Sequence, residues 1–138
     1  MTALAAERNT KERIGDVFDL PVKANTKCFL GGLAVIDAGY AAPGRTATTL
    51  VAAGRFEESA DNTGGAAGDK KARVKRGIYK FANSAAGDLI AQADVGADCY
   101  IVDDQTVAKT NGTNTRSRAG QIVAVDSDGV WVQIGLGW

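Results

Sequence analysis

From Val17 onward, short β-branched and aromatic runs alternate with turn residues, and this pattern predicts β-strands. The clearest unit comes near the end of the sequence, where Gly120–Val125 and Val130–Ile134 flank an Asp-Ser-Asp-Gly turn. Two β-branched runs around such a turn predict a hairpin. Trp131 lies inside the second run and is expected to belong to the core.

The first strands are predicted before residue 40. Val17–Leu20 carries a strand-like apolar set, and Pro21 places it at a sheet edge because proline cannot donate a ladder hydrogen bond. Lys27–Leu30 and Leu33–Ile36 are separated by two glycines. They form either two strands or one strand bent at a bulge.

The middle of the chain predicts two strands joined by a Gly/Ala/Asn-rich loop. Thr46–Glu57 favours a strand with Phe56 as a core anchor, and Gly54 lies near its end. Arg73–Phe81 alternates charged and apolar residues, which predicts one half-exposed strand. The segment contains no recognisable catalytic set, so we interpret it as a contact surface.

Two weaker signals follow. Ser84–Val95 is the one helical candidate, with Leu89 and Ile90 facing inward, but its glycine limits it to a turn or two. Asn111 and Gly112 are a favoured pair for a two-residue type I′ hairpin.

Together these elements predict a mostly β protein, a small single-domain β-barrel or β-sandwich with a short helical turn. Residues 17–138 form this β-rich domain. Residues 1–16 are polar and of mixed charge, without a capping signal or a sustained apolar stripe. We expect them to be a flexible N-terminal arm that orders against a partner.

Composition argues against several functional classes. Sixteen basic residues balance sixteen acidic ones, so no global field attracts nucleic acid or a membrane. The chain has no histidine, which removes the commonest metal ligand and general base and argues against an enzyme or a cofactor. No secretory signal or membrane span of about 20 apolar residues is seen, so we expect cytoplasmic synthesis without membrane association. Cys28 and Cys99 are expected to be free core thiols.

Two motifs resemble ligand sites but fail their spacing rules. Gly64–Lys70 lacks the Gly-x4-Gly-Lys-Ser/Thr pattern of a phosphate-binding loop, which favours a surface loop. Asp126–Gly129 opens like an EF-hand, but Gly137 stands where the twelfth-position glutamate is needed. A hairpin turn is the favoured interpretation.

A run of basic residues is the best nucleic-acid candidate, because Tyr79 and Phe81 follow it and could stack on bases. The run comprises Lys70, Lys71, Arg73, Lys75 and Arg76. The acidic residues Glu57, Glu58 and Asp61 precede it and could pair with it across a hairpin. A solvated or interface strand is therefore favoured.

Several stretches resemble small tailed-phage and prophage head proteins of the decoration, or capsid cement, family. They are Gly54–Glu58, Asn62–Asp69, Val74–Gly77, Asp98–Val107 and Gly129–Val132. The resemblance is one of pattern and covers roughly residues 31–134. It implies a small β-barrel-like protein on the exterior of the virion head that clamps neighbouring major capsid subunits.

The resemblance also suggests contacts and assembly. Candidate capsid or subunit contacts are Arg8, Lys11, Arg13, Glu57, Glu58, Lys70, Lys71, Arg73, Lys75, Arg76 and Trp138. Trp138 either folds back on its own domain or packs on a neighbouring subunit. A homo-oligomer is expected, with a trimer favoured. Alternatives are another head or tail component, or a β-barrel module that binds single-stranded nucleic acid or carbohydrate.

Overall fold

Short β-strands make up nearly all the regular structure in the computed structural model, which describes residues 2–13 and 15–138. The strands are β1 (Val17–Pro21), β2 (Lys27–Cys28), β3 (Leu33–Asp37), β4 (Tyr40–Pro43), β5 (Val51–Phe56), β6 (Ala60–Asp61), β7 (Lys71–Lys75), β8 (Gly77–Phe81), β9 (Asp98–Ile101), β10 (Val107–Ala108), β11 (Arg118–Asp126) and β12 (Gly129–Ile134). Two single 3-10 turns, Ala86–Asp88 and Gln92–Asp94, lie between β8 and β9.

The strands form two five-stranded antiparallel sheets and one small ribbon. The first sheet has the order β1-β7-β5-β3-β4, the second has the order β8-β12-β11-β9-β10, and β2 pairs with β6. The predicted mostly β fold is confirmed. A sandwich-like arrangement of the sheets describes the domain without a closed barrel.

Both halves of the domain use the same strand order. In the first half, β1 pairs with β7, β7 pairs with β5, and β5 pairs with β3 of the β3–β4 hairpin. In the second half, β8 pairs with β12, β12 pairs with β11, and β11 pairs with β9 of the β9–β10 hairpin. A parallel bridge also joins the two outer strands at one end, Val22 to Ala41 in the first half and Ala82 to Thr106 in the second. Each sheet is therefore curled.

The larger hydrophobic core lies between the two sheets. The first sheet contributes Leu33 and Val35 from one face of β3, since alternate residues of a strand share a face. The second sheet contributes mainly β-branched side chains. Its fully buried members include Ile101, Ile122, Val130, Val132 and Ile134.

A second core lies against the other face of the first sheet. Ala34, between the inward residues of β3, points into it together with Ala53 and Ala72. Phe56 is its largest side chain and is fully buried, as predicted. Cys28 from the β2–β6 ribbon also packs there. The first sheet is therefore covered on both faces, and small residues dominate its second core.

The predicted strand over Arg73–Phe81 is in fact two strands in different sheets. The chain leaves the first sheet at Lys75 and enters the second at Gly77, with Arg76 between them. Two adjacent charges and a glycine at 75–77 interrupt the alternation of charged and apolar residues, and the exposed positions change from odd to even residue numbers across this junction. The Arg76 N–H donates to the Asp16 carbonyl, 2.9 Å away, which fixes the crossover.

Gly54 allows the closest backbone approach in the first sheet. Its φ is +149°, and a Cβ at this position would collide with the Lys75 carbonyl of β7. The register of β3 against β5 also shifts between Ala34 and Val35, next to this glycine. A side chain here would push β5 and β7 apart.

The other local predictions have mixed outcomes. The final hairpin is confirmed, since Asp126 pairs with Gly129, and Pro21 does lie on an edge strand. The predicted strand over Thr46–Glu57 is shorter, starting at Val51, and the glycines at 31 and 32 separate two strands.

One further local prediction is right in part and another is wrong. Ser84–Val95 does form only short helical turns, two 3-10 turns between which Ile90 is buried as predicted, but Leu89 is exposed instead of facing inward. Asn111 does not begin a two-residue hairpin, because its carbonyl accepts from both Thr115 and Arg116 and closes a wider loop. β10 pairs with β9 instead of continuing into β11.

Candidate contact surfaces

Strand β7, which lies next to the edge strand of the first sheet, carries a row of basic side chains. On β7, Lys71, Arg73 and Lys75 are exposed, while Ala72 and Val74 between them are buried. β7 pairs with edge strand β1, whose Asp19 carboxylate lies 4.0 Å from the Arg73 guanidinium. We call these three residues the basic strand face. Lys70 is exposed in the preceding loop.

The N-terminal arm leaves the domain beside this face. Residues 2–13 are exposed and contain no strand or helix, and Arg8, Lys11 and Arg13 are among them. The arm joins the domain at Asp16, whose carbonyl accepts from the Arg76 backbone. Because β1 follows and its first residue, Val17, pairs with Lys75, the chain enters the domain next to the basic strand face.

The acidic pair before the loop contacts the basic strand mainly through its backbone. Glu58 accepts a hydrogen bond from the Arg73 N–H at 3.0 Å, and the Glu57 N–H donates to the Arg73 carbonyl at 2.8 Å. The Glu57 carboxylate itself pairs with Arg55, 2.8 Å away. The Asp61 carboxylate accepts from Thr63, which lowers the pKa of Asp61. The acids therefore do meet the basic run across paired strands, but they do so at the Arg73 backbone, and none of the three carboxylates forms a salt bridge with the basic run among the described residues. The side chains of the basic strand face remain exposed.

Arg76 does not belong to the exposed basic face, although the sequence placed it there. Its guanidinium donates to the Leu136 carbonyl at 3.0 Å and lies over the Trp138 ring, 4.7 Å from the centroid. Its Nε and the Asp16 Oδ1 are buried without a hydrogen-bond partner among the described residues. Through these contacts, Arg76 holds the C-terminal segment against the crossover between the two sheets.

Trp138 folds back on its own domain and remains 45% exposed. Its backbone N–H donates to Gly135, and its carbonyl accepts from Arg118 at 3.0 Å. The ring lines a shallow hollow of about 200 Å³ together with Val51, which is also exposed. Of the two placements left open by the sequence, folding back is observed, and the residue keeps enough exposed surface for a contact.

The aromatic residues after the basic run pack towards the inter-sheet core, and the Tyr79 hydroxyl donates to the Lys75 carbonyl at 3.0 Å. Phe81 is buried in the inter-sheet core. Tyr79 packs against that core as well, and the Arg55 guanidinium lies 4.2 Å from its ring centroid. Burial raises the pKa of Tyr79. Among the described residues, these two aromatic rings therefore do not stand beside the exposed cations of β7 on one open face, which is the arrangement that the nucleic-acid-binding alternative needs.

Trp131 lies on the outer face of the second sheet, so the expectation that it is a core residue is wrong. It pairs with Lys80 across β8 and β12, and paired residues share a face. Its indole N–H donates to Asp126 at 2.8 Å, which lowers the pKa of that carboxyl. Lys80 contacts both Asp126 and Asp128, and the bond to Asp128 is the main cause of the raised pKa of Lys80.

These side chains border a groove of about 470 Å³ on the second half of the domain. It is lined by Gly31, Arg55, Ile78, Tyr79, Lys80, Phe81 and Trp131. Ile78 is 49% exposed there. We call it the aromatic groove, and it was not predicted from the sequence.

An apolar loop adjoins the aromatic groove. Phe29 and Leu30 are 54% and 64% exposed, although the sequence predicted a strand at these positions. Hydrogen bonds from Leu30 to Ser59 at 2.9 Å and from Gly32 to Phe29 at 3.0 Å hold the loop. We call Phe29 and Leu30 the apolar tip. The two following glycines were the sequence signal for a tight turn here.

No feature of the described residues assigns a reaction. Within residues 2–13 and 15–138, no three histidine, cysteine or acidic residues are grouped so that they could hold a metal ion, and no helix is long and apolar enough to cross a membrane. Comparison of the chain with protein-family models, curated proteins and solved structures finds no match. The contact surfaces are therefore the evidence on which a function is argued.

Proposed function

We propose that this protein is a non-enzymatic structural component of a tailed-phage virion that decorates the exterior of the head. In this role it clamps neighbouring major capsid subunits and needs no cofactor. Copies associate on the shell, with a trimer as the favoured assembly. The pattern resemblance in the sequence suggested this role, and the surface geometry supports it.

The observation that carries the proposal is that the chain enters the domain next to the basic strand face, where Val17 pairs with Lys75. The arm before it presents Arg8, Lys11 and Arg13 on an exposed segment, and β7 presents further cations on a hydrogen-bonded sheet. The domain therefore offers two cationic elements, an extended segment and a strand of the sheet. Such a bipartite surface suits a protein that must touch two adjacent subunits of a shell.

The physical mechanism is multivalent linkage. Exposed ion pairs contribute at most about 1 kcal/mol each, so no single contact holds the clamp. The bridged capsid subunits are already fixed side by side, which gives the second contact a high effective concentration. Binding to the assembled shell and not to separated subunits stabilises the shell by mass action.

The test is to add purified protein back to bare heads and measure the temperature at which the heads release their DNA or come apart. We expect full occupancy to raise that temperature. Deletion of residues 2–13 should weaken head binding. The double variant Lys71→Gln/Lys75→Gln should also weaken it, whereas Arg45→Gln/Lys109→Gln removes two exposed charges elsewhere and should bind normally.

Two results would reject the proposal. Heads with the same release temperature with and without saturating protein would mean that it does not cement the shell. Salt-sensitive retention of single-stranded oligonucleotides, without head binding, would indicate a nucleic-acid-binding module instead.

A further inference from the structure

Asn111 and Gly112 lie in a tightly wound loop instead of the two-residue hairpin that the sequence predicted. Gly112, Thr113 and Asn114 have positive φ angles of +64°, +59° and +64°. Such angles are uncommon outside glycine, and they are strained for a β-branched residue such as Thr113. The Asn111 carbonyl accepts from the Thr115 N–H at 2.9 Å and closes this left-handed turn. The loop therefore holds the Asn-Gly pair in one defined shape.

The side-chain amide of Asn111 carries a polarised carbonyl group. Its Oδ1 accepts from the backbone N–H of Asn114 at 3.2 Å, and its Nδ2 donates to the Asn114 Oδ1 at 3.1 Å. A backbone N–H that points at a carbonyl oxygen stabilises the negative charge that forms there when a nucleophile attacks the carbon. The Asn111 Cγ is therefore an electrophile that the turn both holds and activates.

The backbone nitrogen of Gly112 is the nearest nucleophile to this carbon along the chain. Its N–H points at the Thr110 hydroxyl oxygen, 3.3 Å away, and that hydroxyl donates to the Asp88 carboxylate at 2.5 Å. The bond from Thr110 is the main cause of the lowered pKa of Asp88, so this carboxylate is ionised at neutral pH. Because Asp88 accepts the hydroxyl proton, the Thr110 Oγ1 presents only lone pairs to the Gly112 N–H. Gly112 also lacks a Cβ that would shield the nitrogen.

Arg116 holds the two partners of this nitrogen in place. Its Nη1 lies 3.2 Å from the Asp88 carboxylate and donates to the Thr110 carbonyl at 3.0 Å. Its Nε is buried without a hydrogen-bond partner among the described residues, and a Cβ on Gly112 would lie 3.3 Å from that atom. A negative charge formed next to Gly112 would thus be attracted by a guanidinium that has a free N–H.

We infer that Asn111 is a self-modification site at which the folded loop promotes loss of the side-chain amide. The Gly112 nitrogen gives up its proton towards Thr110 and forms a bond to the Asn111 Cγ. The Cγ–Nδ2 bond then breaks, and the leaving nitrogen takes up a proton and departs as ammonia. Water opens the resulting cyclic imide and leaves aspartate or isoaspartate at position 111. No oxidant or reductant takes part.

The modification changes the charge of the protein. The formal net charge is zero, so each modified copy carries one additional negative charge. Isoelectric focusing separates the two forms, and peptide mass spectrometry locates the change at position 111. The inference concerns the chain itself and holds whether or not the protein binds a phage head.

The test follows conversion of Asn111 in purified protein that is kept in warm, neutral buffer. We expect the folded protein to convert about tenfold faster than the same chain unfolded in urea, a modest value for combined acid–base and electrostatic assistance. Asn25 is an internal control, because its Oδ1 also accepts a backbone N–H, that of Gly64 at 2.9 Å, but Thr26 follows it instead of glycine. Asn25 should remain unmodified over the same period.

Two substitutions at position 110 isolate the role of the hydroxyl. Thr110→Val removes the oxygen that accepts from Gly112 and should slow conversion by about tenfold. Thr110→Ser keeps the hydroxyl and should keep the rate. Thermal melting verifies that both variants fold, which the exposed position of Thr110 favours. If the valine variant does not fold, the comparison of folded and unfolded wild-type protein decides.

The inference is overturned if Asn111 stays unmodified in the folded protein or converts no faster than in the unfolded chain, since the loop would then protect the amide. It is also overturned if folded Thr110→Val converts as fast as the wild type or faster, because the hydroxyl would then only restrain the loop. Head binding does not enter either measurement, so a failure here leaves the proposed function standing.

Discussion

The two halves of this domain share one strand order but fill their cores differently. The second half contributes large branched side chains such as Ile101 and Ile122 to the inter-sheet core. The first half encloses a core of its own in which Ala34, Ala53 and Ala72 surround a single aromatic ring, that of Phe56. Both solutions support the same hydrogen-bonded sheet order.

The difference shows that strand order does not by itself set the size of the core side chains. Alanines let the backbones of the curled first sheet approach each other, as the close contact of Gly54 with the Lys75 carbonyl illustrates. Such packing leaves little apolar area per residue, so stability becomes concentrated in the few large side chains. In the second half, the stabilisation from buried apolar area is shared among many side chains.

Among substitutions that test the difference between the two cores, Phe56→Ala should have the largest effect on stability. Removing the only aromatic ring of the alanine-rich core should cost about 3–5 kcal/mol of unfolding free energy, because small neighbours cannot fill the cavity. In the second half, Ile122→Val should cost about 1 kcal/mol. Denaturant unfolding measures both. Phe29→Ala is the exposed control, and a Phe56 variant as stable as that control would refute the argument.

Gly54→Ala tests the close backbone approach of the first sheet. The added Cβ meets the Lys75 carbonyl, and φ at +149° is unfavourable for an L-residue, so we expect a loss of about 1–3 kcal/mol. Gly87→Ala, in the second half, places its Cβ in open space and should change stability by less than about 0.5 kcal/mol. Equal effects of the two substitutions would show that the first sheet can separate its strands without cost.

Local sequence patterns correctly predicted those features of the fold that depend on residues close together in the chain. The hairpin around Asp126–Gly129 follows from turn chemistry, and the burial of Phe56 from its place in an apolar strand. The crossover at Arg76 was missed, although two adjacent charges and a glycine at 75–77 interrupt the alternation there, because such an interruption can also occur within one strand. The outward position of Trp131 depends on strand register, since a shift of one residue exchanges the two faces.

The candidate contacts were predictable only in part. The exposed cations Lys71 and Lys75 follow from strand alternation, and both are exposed as predicted. The aromatic groove could not be derived, since it joins Gly31 to Ile78 and Trp131 from distant parts of the chain. The apolar tip was missed because Phe29 and Leu30 have strong strand preferences, which the tight turn at the following glycines overrides.

The pH dependence of stability probes both cores, since Cys28 lies in the first-half core and Cys99 lies in the inter-sheet core. Burial raises the pKa of Cys28 to about 11 and that of Cys99 to about 12, from an ordinary value of 9.0. The folded protein thus holds both thiols neutral at pH values where the unfolded chain ionises them. Their contribution to stability is complete below pH 9 and is lost as the pH rises through these folded values.

We therefore expect each cysteine to account for about 1 kcal/mol of the stability lost between pH 8 and pH 10. Chemical unfolding at several pH values measures this slope, and Cys99→Ala and Cys28→Ala should each reduce it. Titration of the denatured protein should find two free thiols, whereas the native protein should react slowly. An unchanged slope in both variants would mean that other groups cause the pH dependence.

The smallest effect is expected at the charged edges of the two halves. Lys71 and Lys75 on β7 and Lys109 next to β10 are all exposed. Replacing any of them with glutamine should change the unfolding free energy by less than about 0.5 kcal/mol, because exposed charges are well solvated in both states. Thermal melting of the three single variants measures this.

If Lys71→Gln or Lys75→Gln unfolds the domain, the basic strand face is needed for folding. Any loss of head binding in these variants would then say nothing about contact with a shell. If all three variants melt like the wild type, a loss of binding confined to the β7 substitutions can be assigned to the surface itself, and the halves then differ in function as they do in core packing.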